Sequence, residues 1–362
     1  MVEDRRAVTV GLDVHKSSVR LAAVRADEVL GERTLAHDHG EVIDALAAWP
    51  AARVCQEAGP TGFGLHRALL AAGIDSVVVA PGLVPSRPGD RVKTDKRDAR
   101  RLAGLHAAGL LTSVFVPSRE HEALRDLVRA REDARVDRMR ARHRLGKFLL
   151  RHDLRMPTQC WGTTRHAWLG RQAFELPGEQ QAFDDYLLAV GQVDRRVRAL
   201  EREIDQLAAE GPHAALIARL RCMRGIDTLT AVGLVAETGD FQRFQSAERF
   251  MSFCGLVPSE RSSGESRRQG SITKTGSAHA RRLLIEAAWN GRRRPAVGYE
   301  LARRQAGQDP LAVERAWRCQ QRLHRRWQRM AGRGKPHPKV VVACARELAG
   351  FVWAIATEQP MR

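Results

Sequence analysis

Short apolar runs of β type alternate with amphipathic helical segments over the first 117 residues, which restricts this part of the chain to an α/β fold. Three strands are predicted first, in the segments VTVGLDV, SVRLAAVRA and EVLGERTL. They are followed by the helix EVIDALAAW, the strand RVCQE, the helix GLHRALLAAG and the strand SVVVAP. After a loop rich in Gly and Pro, the segment KTDKRDARRLAGL predicts a last helix.

Four acidic residues mark the ends of these predicted elements. Asp13 ends the first apolar run and Glu57 ends the fourth, whereas Asp95 and Asp98 stand three residues apart at the start of the last helix. A separation of three places both on one helix face, roughly 5–6 Å apart at Cβ. Each acid alone has a structural explanation, as a turn residue or as a first-turn acid that faces the helix dipole. Together they favour a site for Mg²⁺, which takes oxygen ligands and can be held against a phosphate.

The order of three strands and then αβαβα is typical of an RNase H-like domain. In that fold the first and fourth predicted strands are neighbours. Asp13 and Glu57 can therefore meet at adjacent strands, although more than 40 residues separate them in the sequence.

The charge of the whole chain indicates the kind of partner. The 362 residues carry a net charge of +18, and so strong a basic excess predicts a polyanion, most naturally nucleic acid. We see no apolar run near the ~20 residues of a membrane span and no signal peptide, so we expect a cytoplasmic protein without a membrane partner. The six cysteines form no CxxC pair, which disfavours a zinc site or a disulfide framework.

Long helices are predicted in the middle of the chain. Residues 118–157 interleave arginine with Leu, Val and Met, and the arginine excess favours phosphate contacts over a merely solvated amphipathic helix. Further on, apolar residues recur at alternating steps of three and four, at Phe183, Tyr186, Val190, Val193, Val197, Leu200, Ile204 and Leu207. This seam predicts a coiled coil, whose partner is either the 118–150 helix or a second subunit. We expect it to mediate self-association into a dimer, or a tetramer when two duplexes are held.

The remaining segment, residues 216–362, is predicted to be mainly helical. LRCMRGIDTLTAVGLVAETGDF predicts two helices around a tight turn at Gly225. A helix–hairpin–helix offers backbone N–H groups to DNA phosphates, but an ordinary helical hairpin has the same pattern. GLVPSERSSGESRRQGSITKTG predicts a long cationic loop, and KVVVACARELAGFVWAIA a buried C-terminal helix.

Over essentially its full length the chain resembles the DEDD transposases of the IS110 insertion-sequence family and the related pilin-gene invertases. The resemblance rests on GLDVHK, EAGPTG, KTDKRDARRLA, the hairpin before Phe241, and FxxFxGLVPSERSSG followed by GSITKTG. Two departures stand out. Gly59-Pro60-Thr61-Gly62 replaces the usual Thr-Gly after Glu-Ala, and Gly225-Ile226-Asp227 replaces the usual Gly-Ile-Gly. An acid at a turn that faces phosphate would weaken the contact.

The resemblance implies three regions: an RNase H/RuvC-like domain at 1–117, a basic helix and coiled-coil dimerisation segment at 118–215, and a transposase domain with the serine loop at 216–362. It implies that Mg²⁺ or Mn²⁺ is bound by Asp13, Glu57, Asp95 and Asp98. The nucleophile that it implies is Ser263, with Ser262 as the runner-up. It also implies guidance by a structured non-coding bridge RNA that pairs with donor and target DNA.

Basic side chains near these motifs are expected to contact nucleic acid. They are Lys93, Arg97, Arg261, Arg267, Arg268, Lys274 and Arg281. Two alternatives stay open. A metal-dependent junction nuclease that uses water would need the four acids but not Ser263, whereas a non-catalytic nucleic-acid-binding protein would need neither.

Overall fold

A computed structural model describes most of the chain. It covers residues 7–26, 28–85, 95–158, 161–263 and 266–359, with the side chains of 95–96, 261–263 and 266–268 left out. Lys93 therefore lies outside the described residues, as do the side chains of Asp95, Ser262 and Ser263. The chain divides into two units, Met1–Pro117 and Ser118–Arg362.

The first unit is a five-stranded sheet with helices on both faces. Its elements are β1 (Thr9–Val14), β2 (Ser18–Arg25), β3 (Glu28–Ala36), α1 (His39–Leu46), β4 (Arg53–Glu57), α2 (Gly64–Ala71), β5 (Ser76–Val79) and α3 (Asp95–Ala107). The strand order is β3-β2-β1-β4-β5, with β1, β2 and β3 antiparallel and β4 and β5 parallel to β1. The prediction that the first and fourth strands are neighbours is confirmed.

The two faces of this sheet are covered differently. Val10, Leu12 and Val54 of the sheet are buried together with Leu65 and Leu69 of α2, in a core that also contains α1. Helix α3 covers the opposite face and approaches β1 very closely. A Cβ at Gly11 would lie 2.2 Å from the carbonyl oxygen of Ala99 on α3, so only glycine allows this contact.

The second unit is mostly helical, as expected. Its elements are α4 (Arg119–Arg151), α5 (Thr163–Leu169), α6 (Pro177–Glu210), α7 (Ala214–Leu220), α8 (Thr228–Thr238), α9 (Ala247–Phe253), β6 (Pro258–Ser263), β7 (Ser266–Ile272), α10 (Ala278–Ala288), α11 (Tyr299–Gln305), α12 (Pro310–Ala331) and α13 (His337–Thr357). A short 3-10 turn at Trp289–Arg292 follows α10.

Helices α4 and α6 form an antiparallel hairpin. Arg131 donates to Glu201 at 2.9 Å and Arg142 donates to Asp194 at 2.8 Å, so rising residue numbers on α4 meet falling numbers on α6. Ser118 caps α4 by accepting a hydrogen bond from the His121 amide.

The seam predicted on α6 is buried within its own chain. Phe183 and Val190 pack with Phe148 of α4, and Ile204 packs with Leu124 near the start of α4. The heptad pattern therefore finds its partner in the 118–150 helix, one of the two alternatives. The prediction that this seam joins two subunits is corrected, because its central apolar side chains are already covered. Self-association through another surface stays a prediction.

The cationic segment after Gly255 is a β-hairpin rather than the predicted long loop. Strands β6 and β7 pair antiparallel, and Ser263 ends β6 opposite Ser266 of β7. Sequence patterns did not indicate strands because Ser, Arg and Gly provide no apolar alternation.

Helix α13 shows that the expectation about apolar segments was too strict. Its 21 residues are long and apolar enough to cross a membrane, with a mean hydropathy of 1.6. However, 78% of that stretch is buried, and Val340, Leu348 and Val352 belong to the core of the helical unit. Burial of this kind is typical of a core helix, so α13 is weak evidence for a membrane span.

Candidate active site

The backbone brings three of the acid-bearing elements to one region of the first unit. Leu12 of β1 pairs with Gln56 of β4, so Asp13 and Glu57 occupy the next positions on two adjacent parallel strands. Side chains alternate along a strand, which places Asp13 on the same face as Gly11. That is the face covered by α3, where Asp98 directly precedes the Ala99 that contacts β1.

The surroundings of Asp13 are polar. Its Oδ2 lies 3.1 Å from Nε2 of His15, in the turn that leads to β2. Arg20 lies opposite Asp13 on β2 and donates a hydrogen bond to Thr34. The sequence motif GLDVHK contained His15, but no role had been assigned to this residue. Its position two residues after Asp13, at a strand end, is the signal that would have found it.

The donor set fits a divalent cation of the Mg²⁺ type by its chemistry. Asp13, Glu57 and Asp98 offer only carboxylate oxygens, the ligands that such hard cations prefer. Among the described side chains, no three His, Cys, Asp or Glu groups lie close enough together to hold a metal ion. The fourth acid, Asp95, is the first residue of α3, but its side chain is not described. The fit therefore rests on donor type and backbone placement.

The hairpin that carries Ser263 has a closely packed base. Gly276, just after β7, has φ of 67°, and a Cβ there would lie 1.9 Å from the carbonyl oxygen of Phe253. Arg281 braces the same region, because its Nη1 donates to the carbonyl oxygens of Cys254 at 3.0 Å and Thr275 at 3.1 Å. These two hydrogen bonds give Arg281 a structural role that does not require nucleic acid.

A buried carboxylate, which sequence patterns did not identify as functional, anchors the other side of the hairpin base. Glu237 of α8 accepts hydrogen bonds from Ser277 at 3.0 Å and Arg129 at 3.2 Å, and His279 Nδ1 lies 3.4 Å away. Burial on its own raises the pKa of this carboxyl, but the bonds from His279, Arg129 and Ser277 outweigh it and lower the pKa to about 2. Glu237 is the only acid in the apolar helix α8, and this isolated acid is the sequence signal that could have identified it.

This cluster connects three helices to the serine hairpin. Ser277 directly follows the segment that closes the hairpin, and its hydroxyl also caps α10 by accepting from the Ala280 amide. Arg129 belongs to α4, and Glu237 belongs to α8. The ionised carboxylate therefore fixes the hairpin base to the helical core.

The departure at the α7–α8 turn has a structural reason. Asp227 is the N-cap of α8, because its side chain accepts a hydrogen bond from the Thr230 amide at 2.8 Å. The Ile226 amide donates to Met223, and Arg304 donates to the Ile226 carbonyl. The Ile226 and Thr230 amides are thus already bonded within the protein. This favours an ordinary helical hairpin over one that binds phosphate.

The basic side chains expected at nucleic acid have different positions. Arg97 and Lys274 are exposed. Arg261, Arg267 and Arg268 lie on β6 and β7, but their side chains are outside the described set.

On α4, several arginines are ion-paired within the chain. The pairs are Arg129–Glu237, Arg131–Glu201, Arg135–Glu132 and Arg142–Asp194. For these arginines the structure supports the alternative interpretation of residues 118–157, an amphipathic helix whose arginines do not contact phosphate, because they pair with acids of the same chain.

Comparison with known proteins shows the family. The chain is 40% identical to a putative transposase, y4qE, of Sinorhizobium fredii, over 99% of this chain and 90% of that protein. It is 33% identical to the transposase for insertion sequence element IS1533 of Leptospira borgpetersenii, over 91% of this chain and 99% of that one. A probable family 20 transposase of Pseudomonas aeruginosa is 27% identical, over 97% of both chains.

Two family profiles match separate parts of the chain. A profile described as transposase, of the DEDD type of IS110, matches residues 10–152, and the profile of the transposase IS116/IS110/IS902 family matches residues 217–301. The chain belongs to the IS110/IS116 family of transposases. Such transposases act on DNA, and DEDD members typically use a divalent metal ion. In this transposase, the first match includes all four acids and the second includes the serine hairpin.

Proposed function

We propose that this transposase cuts and rejoins DNA with Ser263 as the nucleophile and with Asp13, Glu57, Asp95 and Asp98 as ligands of Mg²⁺ or Mn²⁺. The observation that carries the proposal is the β1–β4 register, which brings Asp13 and Glu57 to neighbouring strand positions on the face that α3 covers. The strand order also supports an RNase H/RuvC-like fold for residues 1–117.

The bound cation would supply Lewis-acid stabilisation of charge on the scissile phosphate. The Ser263 hydroxyl attacks phosphorus, and a serine–phosphate bond forms as the bond from phosphorus to the leaving sugar oxygen breaks. The serine proton is lost to solvent, and the leaving oxygen takes up a proton in turn. The phosphoserine linkage keeps the bond energy that rejoining needs. We expect Arg261, Arg267 and Arg268, which lie on β6 and β7 near Ser263, to neutralise charge that develops on the phosphate, whereas Lys274 at the hairpin base lies too far along the strands to reach it.

The hairpin supports this role for Ser263 in two ways. Ser263 is the last residue of β6, next to the two-residue connection to β7, so it lies at the tip of the hairpin. The base is held by Gly276, Arg281 and Glu237, which fixes the point where the hairpin joins the helical core. A fixed attachment point lowers the entropic cost of bringing a nucleophile into a productive geometry.

Three serines of one hairpin provide matched variants for the test. The full-length protein is incubated with DNA from the ends of its element and Mg²⁺, and covalent protein–DNA adducts are separated under denaturing conditions. We expect Ser263→Ala to abolish the adduct, whereas Ser262→Ala and Ser266→Ala retain it. An adduct that survives Ser263→Ala but not Ser262→Ala would move the nucleophile by one residue.

Cleavage without any adduct in the wild-type protein would instead favour the junction nuclease that uses water. That alternative has a specific observation in its favour, since the acids come together at the backbone level without any contribution from Ser263. A protein that neither cleaves nor forms an adduct would support the non-catalytic alternative.

We further propose that a structured RNA, encoded beside the gene, guides the choice of DNA, and that the protein acts as a dimer or tetramer. The net charge of +18 supports contacts with several nucleic acids at once. Affinity for that RNA is measured as a function of salt, and each phosphate contact contributes a slope of roughly −0.7 to −0.9. A slope near zero would contradict guidance through phosphate contacts, and a monomer by light scattering with RNA and DNA bound would contradict the assembly.

A further inference from the structure

An open cleft of about 510 Å³ lies in the helical unit, and its lining residues do not belong to the serine hairpin. Its walls come from the turn between α7 and α8, from the 3-10 turn after α10 and from α11. The residues that matter here are Arg224, Gly225, Asn290, Tyr299, Leu301 and Arg304. Of these residues, only Gly225 has a role predicted from the sequence, as the tight turn between α7 and α8.

An aromatic ring at this cleft is unusually exposed. The chain has only two tyrosines. Tyr186 packs against Phe148, with ring centroids 5.5 Å apart, whereas Tyr299 lines the cleft and is 80% exposed. A large aromatic side chain that the fold leaves uncovered offers its ring to a planar ligand.

The cleft carries more positive than negative charge, because Arg224 and Arg304 line it together with one acid, Glu300, which pairs with Arg303 at 3.5 Å. Burial, and next the neighbouring Arg293, lower the pKa of Arg224. Burial, and next the neighbouring Arg221, lower the pKa of Arg304, whose Nε is buried without a hydrogen-bond partner among the described residues. Because each guanidinium is close to another of the same charge, an anion beside it would relieve repulsion, which Asp227 and Glu300 already reduce in part at Arg304.

Hydrogen bonds hold the cleft in shape. Arg224 Nη1 donates to the carbonyl oxygen of Arg294 at 2.6 Å, and Asn290 Nδ2 donates to that of Ala287 at 3.2 Å. Gln320 of α12 accepts from the Ala296 amide at 3.3 Å, which fixes the segment before α11. A preformed cleft loses little entropy when a ligand binds.

We propose that this cleft binds one unpaired nucleotide of a single DNA strand, with the base stacked on Tyr299 and the adjoining phosphate near Arg224 and Arg304. Stacking suits any base, because every base has a π face, and the arginines suit the phosphate. We commit to single-stranded DNA because transposases of this family act on DNA and because only an unpaired base has a face free to stack on Tyr299. The inference depends on the DNA binding of the family and not on the chemistry of Ser263.

The test compares binding of DNA strands by full-length variants, without Mg²⁺ so that no cleavage occurs. The probes are a single DNA strand of about 16 nucleotides with 2-aminopurine at successive positions, the matching duplex, and an RNA strand of the same sequence. The variants are Tyr299→Ala and Tyr299→Phe, with Leu311→Ala as an exposed apolar control on α12.

We expect Tyr299→Ala to weaken binding of the single DNA strand by roughly 5- to 150-fold, the range for one lost base stack. Tyr299→Phe and Leu311→Ala should leave that affinity nearly unchanged, and duplex binding should not respond to any of the three. One 2-aminopurine position should be quenched by the wild type and by Tyr299→Phe but not by Tyr299→Ala.

Four results would overturn the inference. These are an unchanged affinity of Tyr299→Ala for the single strand, an equal loss on the duplex, a loss confined to the RNA strand, and a changed oligomeric mass that identifies Tyr299 as a protein contact. Because binding is read without cleavage, a failure here is distinct from a failure of the serine mechanism.

Discussion

Replacement of Glu237 by glutamine tests whether one ionised carboxylate holds the base of the serine hairpin. The pKa of Glu237 is about 2 in the folded protein, against an ordinary value of 4.5. At about 1.4 kcal/mol per pH unit, this difference corresponds to about 3 kcal/mol of unfolding free energy at neutral pH. Glutamine has the shape of the protonated acid and can still accept from Ser277, so it removes mainly this ionic contribution.

The pH dependence gives the prediction its sign. Because the folded-state pKa is depressed, the stabilisation is complete above the ordinary pKa of 4.5 and is lost as the pH falls toward 2. We therefore expect Glu237→Gln to be less stable than the wild type by about 3 kcal/mol at pH 7 but by only about 2 kcal/mol at pH 3.5. Titrating groups that do not contact Glu237 are shared by the two proteins and cancel in the difference.

Urea-induced unfolding of the full chain, followed by tryptophan fluorescence at both pH values, measures this difference. Glu286→Gln is the matched control, since Glu286 makes an exposed ion pair with Arg282 on the same helix turn and should contribute less than about 1 kcal/mol. The reasoning is refuted if Glu237→Gln is no less stable than the control at pH 7. It is also refuted if the difference in unfolding free energy between Glu237→Gln and the wild type is the same at pH 7 and pH 3.5.

Two further substitutions test the candidate site. Asp98→Asn should reduce DNA cleavage in Mg²⁺ at least about 100-fold with an unchanged circular dichroism spectrum, because it removes one charge and keeps the side-chain volume; normal cleavage would exclude this acid from the mechanism. Gly276→Ala should lower the melting temperature clearly more than Gly307→Ala, since both positions have positive φ but only at Gly276 does a Cβ meet backbone, 1.9 Å from Phe253 O. Equal melting temperatures of the two variants would contradict this, because they would show that the backbone at the hairpin base can shift without a loss of stability.

Where the sequence pattern was strong, it predicted the fold well. The segment VTVGLDV predicted a strand and the element order predicted that β1 and β4 are neighbours, and both predictions are confirmed. The pattern could not show how closely α3 approaches β1, because that depends on one missing Cβ at Gly11. The sequence therefore assigned the acids to adjacent elements, but it could not give a coordination geometry, which depends on the distance between α3 and the sheet.

Other features could not be predicted because the pattern describes one element at a time. The seam on α6 specifies an apolar partner without saying which helix supplies it, and the partner is α4 of the same chain. The β6–β7 hairpin is polar on every position near Ser263, so it lacks the alternation that marks a half-buried strand. Glu237 has no spacing motif at all, since its partners come from α4 and α10.

The distribution of arginine changes what the net charge means for function. Arg131 and Arg142 hold α4 to α6, and Arg129 meets Glu237 on α8. A phosphate that took over the donors now bonded to these carboxylates would separate each pair from an acid that is at least half-buried, and this would leave a poorly solvated charge behind. The exposed cations therefore contribute a larger share of nucleic-acid binding than their share of the basic residues in the sequence indicates. Lys274 at the hairpin base is such a cation, and so are Arg144 and Lys147 on α4, whereas Arg131 and Arg142 of the same helix support the fold that presents them.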